Sequence, residues 1–233
     1  MTKKNQYSLL ENGSAIEGGD ESGICFVIFG GISEGIGVPP FEFRGMMQNL
    51  PGHKIYVRDI SQKWYHSGID EGARSLAGAV DQIGKMIKQT GARYKIFIGN
   101  SMGGFAAILF GQLLQADRII AFAPQTYIDP LSRILTLDFR WRRQIKSMYS
   151  SYGYNKETYN LSNYLLKNPI HGIVTIYFGM DCRLDRLHAE KLRGVSNIEI
   201  LKRQGSGHGL VKDLRATGEL FEVLTDAAMA AQS

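Results

Sequence analysis

Ser101 is the residue whose neighbours best suit it to act as a nucleophile. It lies in the pentapeptide Gly99-Asn100-Ser101-Met102-Gly103, between the apolar stretch 94–98 and a run of small apolar residues. This order predicts a strand, a sharp turn and a helix, with the serine hydroxyl presented on the turn. Glycine is needed on both sides because a larger side chain would collide across so tight a turn. The N–H of Met102 would open the helix and point toward the group under attack.

The pentapeptide by itself also permits a second interpretation. The chain has 27 glycines, so short patterns of glycine and serine arise by chance. A glycine-rich loop between a strand and a helix can instead hold a phosphate, because the first N–H groups of a helix attract anions. The choice depends on whether a base and an acid follow at suitable positions.

A histidine and two aspartates follow the serine where a base and an acid are needed. A serine hydroxyl becomes a useful nucleophile when an imidazole takes its proton and a carboxylate orients that imidazole. His208 comes just after the strand predicted at 197–201 and is flanked by glycines. Asp181 and Asp185 both follow the strand predicted at 172–179. Asp185 could instead cap the next helix, a position that aspartate favours.

The pentapeptide, an acid and a histidine in this order resemble the α/β-hydrolase superfamily. The resemblance implies a triad in which Ser101 attacks, His208 moves the proton and Asp181 orients the imidazole. Hydrolases of this type often show an Ala-Glu pair eight residues after the acid, and Ala189-Glu190 lies at that distance from Asp181. Asp181 is therefore preferred, and Asp185 is the alternative acid.

The resemblance also implies where the negatively charged oxygen of the reaction would bind. One donor would be the N–H of Met102. The other would come from the loop 30–40, which follows the buried strand predicted at 24–29. This second N–H falls on Gly31 or Ile32, because the glycine pair of the loop permits two alignments. A plain glycine turn at the end of the strand is the alternative.

Apolar runs that alternate with helical patterns predict an α/β protein with a mostly parallel sheet and helices on both faces. The predicted strands lie at 24–29, 53–57, 94–98, 118–123, 172–179 and 197–201. The length suits one domain, 1–233. Its polar first part, 1–22, is expected to be a loosely held edge or tail with at most a short strand at 7–10. The resemblance covers about 24–229 and implies the α/β-hydrolase version of this fold.

Residues 125–168 interrupt the alternation of strands and helices. Insertions at this place commonly form a cap over the active site of α/β-hydrolases, so the resemblance implies a helical cap. Its cations and aromatic residues are Arg133, Arg140, Arg142, Arg143, Lys146, Phe139, Trp141, Tyr149, Tyr152, Tyr154, Tyr159 and Tyr164. Such a surface would suit an anionic or sugar-linked substrate. For most of these residues a simpler interpretation is favoured, an amphipathic cap with its aromatic side chains against the core.

Trp64, Tyr65 and His66 form an aromatic and polar group after the strand predicted at 53–57. Ligands of open α/β sheets bind at the carboxyl ends of the strands, so these side chains are candidates to line a substrate pocket. The alternative is that they pack their loop onto the body of the protein, and it is given more weight.

Composition and spacing argue against several other functions. The formal net charge of +5 comes from scattered residues, which does not favour nucleic-acid binding. No stretch has the ~18 to 20 apolar residues of a membrane helix, and the N-terminus lacks the apolar run of a signal peptide, so a cytoplasmic protein is expected. Cys25 and Cys182 form no Cys-x-x-Cys pair, and the other histidines, His188 among them, lack ligand spacing. Neither a metal nor a cofactor is implied.

The sequence therefore predicts a serine hydrolase that cleaves a small-molecule carboxylic ester or thioester through an acyl-enzyme on Ser101. An acyltransferase with the same triad is the near alternative, in which the cap excludes water and an alcohol takes the acyl group. A hydrolase-like binding module without catalysis is an alternative from another class. The sequence leaves the oligomeric state open.

Overall fold

One mostly parallel sheet forms the centre of the computed structural model, which describes residues 7–10, 13–32, 41–151 and 156–231. Its strands are β1 (Tyr7–Leu10), β2 (Ser14–Glu17), β3 (Ile24–Phe29), β4 (His53–Val57), β5 (Tyr94–Asn100), β6 (Arg118–Phe122), β7 (Ile173–Gly179) and β8 (Ile198–Arg203). Their order across the sheet is β1-β2-β4-β3-β5-β6-β7-β8. The pairs from β4 to β8 are parallel, and β1 and β2 extend the β4 edge with antiparallel pairs. The predicted α/β class and all six predicted strands are confirmed.

Helices cover both faces of this sheet. They are α1 (Arg44–Met47), α2 (Leu76–Thr90), α3 (Met102–Leu113), α4 (Pro130–Thr136), α5 (Arg142–Tyr149), α6 (Leu161–Lys167), α7 (Arg183–Glu190), α8 (Leu210–Thr217) and α9 (Glu219–Met229), with a 3-10 turn at Lys156–Tyr159. Phe97 of β5 packs in one buried cluster with Phe105 of α3, and its neighbour Ile98 packs in a second cluster with Leu224 of α9. Successive side chains of a strand point to opposite faces, so a strand between two helical layers is apolar throughout. None of the helices in the described ranges is long and apolar enough to cross a membrane.

The N-terminal segment 1–22 is not loosely held throughout. Within it, β2 pairs with β4, and Ser14 and Ala15 are fully buried. β1 then pairs with β2 at the edge of the sheet. The expectation of a loose segment was wrong for β2, because a four-residue strand of mixed polarity gives almost no periodic signal. Residues 1–6, 11 and 12 lie outside the described residues.

The insertion 125–168 is helical, as the resemblance implies, and contains α4, α5, the 3-10 turn and α6. Two of its arginines, Arg133 and Arg140, bind groups within the protein. Arg133 is 8% exposed, and its Nη2 donates to the carbonyl oxygen of Arg140 over 2.6 Å. Of the five cations considered for the cap, Arg142, Arg143 and Lys146 are exposed. The cations of the cap are therefore divided between its interior and its outer surface.

Most aromatic residues of the insertion pack inward, as favoured from the sequence. Tyr159 is buried, and Trp141 and Tyr164 lie against the core. Phe139 and Tyr149 are the exceptions among the described aromatic residues of the segment, because 48% and 36% of them are exposed. Tyr152 and Tyr154 lie outside the described residues.

Candidate active site

Ser101 lies on the turn between β5 and α3, at the carboxyl edge of the sheet. Its backbone has φ 56° and ψ −115°, a strained conformation for a residue other than glycine. Hydrogen bonds hold this turn, since the N–H of Ser101 donates to Phe122 over 2.8 Å and its carbonyl accepts from the N–H of Gln125 over 3.2 Å. The serine is 5% exposed, and its Oγ makes no hydrogen bond to any described residue. The backbone of the serine is thus fixed while its hydroxyl remains uncommitted within that part of the chain.

Close packing of three elements explains the glycines beside Ser101. A Cβ at Gly99 would lie 2.0 Å from the carbonyl oxygen of Gly103. A Cβ at Gly103 would lie 2.3 Å from the carbonyl oxygen of Phe29, at the end of β3. Neither position can take a larger residue without moving the backbone. Met102 follows as the first residue of α3, and an N–H in the first turn of a helix has no acceptor within that helix.

His208 and Asp185 form a hydrogen-bonded pair at the same edge of the sheet. His208 lies between β8 and α8, and 38% of its side chain is exposed. Its Nδ1 is 2.8 Å from Oδ2 of Asp185. Asp185 lies in the first turn of α7, and its side chain is 1% exposed. With Nδ1–H donating to the carboxylate, Nε2 of His208 carries the lone pair that can accept a proton.

The partner of His208 is Asp185, the alternative acid, and not Asp181, which the sequence favoured. Asp181 is exposed in the turn after β7, where its backbone N–H donates to the carbonyl of Ser206 over 3.0 Å. Asp185 lies one helical turn further along and faces the interior. It is not the N-cap of α7 either, because Cys182 takes that position. The spacing to the Ala-Glu pair could not reveal this, since the choice depends on which side of α7 faces the histidine.

Arg140 reaches from the insertion to the same carboxylate. Its Nη1 donates to Oδ1 of Asp185 over 2.9 Å. Burial by itself would raise the pKa of Asp185, but hydrogen bonds and positive charge from His208 and Arg140 outweigh burial and hold the pKa below its ordinary value. Asp185 is therefore ionised at neutral pH with both oxygens engaged, which fixes the orientation of the imidazole.

A second buried carboxylate and histidine continue this network. Asp138 accepts from N, Nε and Nη2 of Arg140 over 3.0, 3.1 and 2.9 Å. Nε2 of His188 lies 2.9 Å from Oδ2 of Asp138, and the ring of Tyr127 stacks on His188 with centroids 3.8 Å apart. Burial opposes ionisation of Asp138, yet His188 and Arg140 hold its pKa far below its ordinary value. Burial, assisted by Arg140, lowers the pKa of His188, so a neutral ring donates from Nε2 to the carboxylate.

The sequence did not single out Asp138, Arg140 or His188 as parts of the site. Arg140 was expected to be one of several cap cations, and His188 was given little weight because no partner lies near it in the chain. Their partners are 45 and 50 residues away. One signal was present, since Asp138 is the single acidic residue of the cationic segment 130–149. A lone acidic residue among cations indicates an ion pair, but it does not show which cation is the partner.

The second oxyanion donor, predicted as Gly31 or Ile32, lies next to Glu42. A Cβ at Gly31 would be 3.0 Å from the carbonyl oxygen of Asn100 and 3.1 Å from Oε1 of Glu42. Burial raises the pKa of Glu42 to about 7, although a hydrogen bond from the N–H of Gly31 opposes the shift. An oxyanion would have to displace Glu42 from Gly31 or use the N–H of Ile32. The rest of the predicted loop, 33–40, lies outside the described residues.

Trp64, Tyr65 and His66 do not line a pocket, so this expectation was wrong. All three are buried, with at most 2% exposed. Nε1 of Trp64 donates to Oε1 of Gln125 over 3.1 Å, and the hydroxyl of Tyr65 donates to the carbonyl of Gly30 over 2.8 Å. The alternative, packing of the loop onto the body, is confirmed. Trp64 nevertheless supports the site indirectly. Its partner Gln125 also donates its backbone N–H to the carbonyl of Ser101 and so helps to hold the turn that carries the serine.

Comparisons with known proteins bear on the fold. The sequence matches no protein-family model and no curated protein. Its structure is similar to the capsule O-acetyltransferase of Neisseria meningitidis serogroup A, with a TM-score of 0.68 and 16% identity over 94% of each chain. It is similar to Est1E from Butyrivibrio proteoclasticus, with a TM-score of 0.62 and 12% identity over 98% of this chain and 100% of that one. For the monoacylglycerol lipase of Paleococcus ferrophilus the TM-score is 0.57 and the identity 16%, over 94% and 98%.

These neighbours share one architecture, and the chain has the α/β-hydrolase fold. Within that fold, Ser101 lies on the turn after a central strand, while Asp185 and His208 lie beyond the carboxyl ends of β7 and β8. This arrangement can supply a nucleophile, a base and a carboxylate at one edge of a sheet.

Proposed function

We propose that the protein is a serine hydrolase that cleaves a carboxylic ester or thioester through an acyl-enzyme on Ser101. The observation that carries the proposal is the buried carboxylate of Asp185, which binds His208 through one oxygen and Arg140 through the other. This pair lies at the edge of the sheet where Ser101 occupies its strained turn. In this proposal Asp185, rather than Asp181, is the third member of the triad.

The first half of the reaction forms the acyl-enzyme. Nε2 of His208 takes the proton of Ser101 as Oγ attacks the carbonyl carbon, and the carbonyl electron pair moves onto oxygen. When the tetrahedral intermediate collapses, the bond to the leaving group breaks, and the departing alkoxide or thiolate takes the proton from His208. Asp185 keeps the imidazole oriented and stabilises its charged form throughout.

The second half releases the acyl group. His208 takes a proton from water as the water oxygen attacks the acyl carbon, and the proton then passes to Oγ of Ser101 as the carboxylic acid leaves. In both halves the N–H of Met102 and that of Gly31 or Ile32 would hold the oxyanion, a contribution worth ~10²- to 10³-fold per donor in related sites.

Active-site labelling tests this chemistry directly. A fluorophosphonate probe should label the wild-type protein at Ser101, as located by mass spectrometry of the peptides. Ser101→Ala should remove the label and lower turnover of p-nitrophenyl esters by about 10⁵-fold or more. Ser147→Ala, at an exposed position on α5, is the matched control and should change neither. Labelling elsewhere, or full turnover by Ser101→Ala, contradicts the proposal.

Acyl transfer to an alcohol is a second candidate, favoured by three observations. The O-acetyltransferase gives a higher TM-score, 0.68, than Est1E, 0.62, or the lipase, 0.57. A mutant of that acetyltransferase has also been solved in complex with CoA. In this chain a cavity of about 700 Å³ beside Asn100 and Glu42 is lined by Arg44 and Arg215, which suits an anionic acyl donor. The acyl-enzyme would then pass its acyl group to a hydroxyl oxygen instead of water.

The two candidates differ in what limits release of the thiol. Acetyl-CoA is offered with and without polyol and sugar acceptors, while free thiol and acetylated product are measured. Thiol release that is independent of the acceptor, with acetate as product, supports hydrolysis. Thiol release that requires the acceptor, with an acetylated alcohol as product, supports transfer. Absence of labelling and of turnover on every ester and thioester contradicts both and favours a binding module.

A further inference from the structure

The outer surface of the insertion carries an unusual set of exposed apolar side chains. They are Leu131 (67% exposed), Ile134 (62%), Leu135 (73%), Leu137 (62%) and Phe139 (48%). The first three recur at helical spacing on α4 and share one face. Leu137 closes that helix, with its N–H donating to the carbonyl of Ile134 over 3.1 Å. We call these five residues the α4 patch. A contiguous apolar surface of this kind usually marks an interaction site.

Two arginines border the α4 patch. The guanidinium carbon of Arg142 lies 4.7 Å from the ring centroid of Phe139. Nη1 of Arg183, at the start of α7, donates to the carbonyl of Thr136 over 3.1 Å. Arg143 and Lys146 follow on α5 and are exposed.

The only acidic residue between positions 130 and 149 is Asp138, and it is 1% exposed and held by Arg140 and His188. The exposed side chains of 130–149 therefore include cations and apolar residues but no carboxylate, and Asp129, just before α4, is engaged as its N-cap by the N–H of Ser132 over 2.8 Å.

The form of the patch argues against a small ligand. Four of its five side chains are more than half exposed and so stand on a convex surface, whereas small molecules bind in concave sites. The patch lines neither the 700 Å³ cavity beside Asn100 nor a cavity of about 880 Å³ bounded by residues between Ile60 and Arg74. A partner with a broad, deformable surface fits such a convex patch better.

A second copy of this chain is disfavoured by charge. In a two-fold dimer each patch would face itself, which would bring Arg142, Arg143 and Lys146 close to their own copies. Like charges across an interface oppose association. An anionic lipid surface has the opposite property, since its acyl region accepts apolar side chains and its headgroups attract the surrounding cations.

We propose that the α4 patch and the cations of α5 dock the protein on anionic phospholipid membranes, with the apolar side chains of the patch in the headgroup and acyl boundary. Docking is peripheral and reversible. It does not depend on the proposed catalytic function, and it would place the insertion, which carries Arg140, against the bilayer.

Vesicle flotation of the full chain tests the proposal. The wild type should float with vesicles of phosphatidylglycerol and phosphatidylcholine, should not float with phosphatidylcholine alone, and should be released by high salt. Leu135→Ser combined with Leu137→Asn should weaken flotation at least about tenfold, since burial of each apolar side chain is lost. Asn suits position 137 because Leu137 has φ 55° there. Replacing Arg142, Arg143 and Lys146 by Gln should abolish the preference for phosphatidylglycerol.

A matched control uses equally exposed apolar residues elsewhere. Leu166 and Met229 are 67% and 63% exposed, and Leu166→Ser with Met229→Ser should float like the wild type. Circular dichroism of every variant checks that the fold is kept. The proposal is overturned if the wild type ignores phosphatidylglycerol vesicles at low salt, if the patch variant floats undiminished, or if the control variant loses as much. It is also overturned if light scattering finds a dimer that the patch variant abolishes while no vesicle is bound.

Discussion

At the scale of single residues, orientation rather than chemical type distinguishes the two aspartates that follow β7. Asp181 and Asp185 are four positions apart, yet Asp181 is exposed and Asp185 is buried against His208. A carboxylate that orients an imidazole must be within hydrogen-bonding distance of it, and only Asp185 is.

This difference gives a matched pair of variants. Asp185→Asn should lower kcat by about 10³- to 10⁴-fold, because an amide no longer fixes the tautomer of His208 or stabilises its charged form. Asp181→Asn should leave kcat within about twofold, because the side chain is exposed at the surface. Steady-state turnover of a p-nitrophenyl ester measures both. The reverse ranking would restore Asp181 as the acid.

Glu42 gives a second prediction at this scale, on stability. Its pKa is raised in the folded protein from the ordinary 4.5 to about 7, so between these values the folded state keeps a proton that the unfolded state has lost. The contribution of Glu42 to stability must therefore fall as pH rises through this window, by at most about 3 kcal/mol. Glu42→Gln removes the titration and should be more stable than the wild type at pH 8, with a smaller difference or none at pH 4.5.

Urea unfolding of both proteins at the two pH values measures the effect. The difference between them isolates Glu42, because the other carboxylates titrate alike in each. An unchanged difference across the window would contradict a raised pKa.

At the scale of elements, the insertion is joined to the catalytic edge through one arginine. Arg140 lies between α4 and α5 and binds Asp138 of its own loop and Asp185 of α7. Since α7 carries the carboxylate and the loop after β8 carries the imidazole, the insertion helps to position the pair from outside the sheet. A buried carboxylate left without this partner would lose a charged hydrogen bond.

Arg140 can be tested as a positioning residue. Arg140→Gln should lower kcat about 10- to 100-fold. The uncompensated charge of Asp185 then favours the protonated imidazole, so the low-pH limb of the kcat/KM profile should move to higher pH. Arg140→Lys keeps a positive charge, so the limb should stay near its wild-type position although kcat falls. A purely structural role would lower kcat in both variants without moving the limb.

At the scale of the whole molecule, the parallel sheet brings distant parts of the chain to one edge. β7 and β8 are neighbours, and only β6 separates them from β5, the strand that leads to Ser101. The two buried clusters on either face hold these strands in register. Access to the centre of the sheet therefore requires opening of the entire fold.

The reactivity of the two cysteines toward a thiol reagent measures this opening. Cys25 in β3 is fully buried, and burial raises its pKa to about 12, whereas Cys182 is partly exposed. A thiol reagent should modify one thiol per native chain and both in urea. In Cys182→Ser the remaining thiol should react at least about 10³-fold more slowly before unfolding than after it. Rapid modification of the native variant would contradict a sealed centre.

The sequence by itself determined the features that depend on local physics. The apolar runs give the inner strands β3, β5 and β6, because a strand between two helical layers has no polar face. The glycines beside Ser101 predict the turn, because a side chain there would collide with the backbone. The order of Ser101, the two aspartates and His208 along the chain could also be read directly.

Only the tertiary structure decided which groups meet. The choice of Asp185 depends on the side of α7 that faces the loop after β8, and the role of Arg140 depends on contacts across 45 residues. The burial of Trp64 depends in the same way on its hydrogen bond to Gln125, 61 positions away. Periodicity records which face of an element is apolar but not which distant side chain lies opposite, so these pairings follow from packing alone.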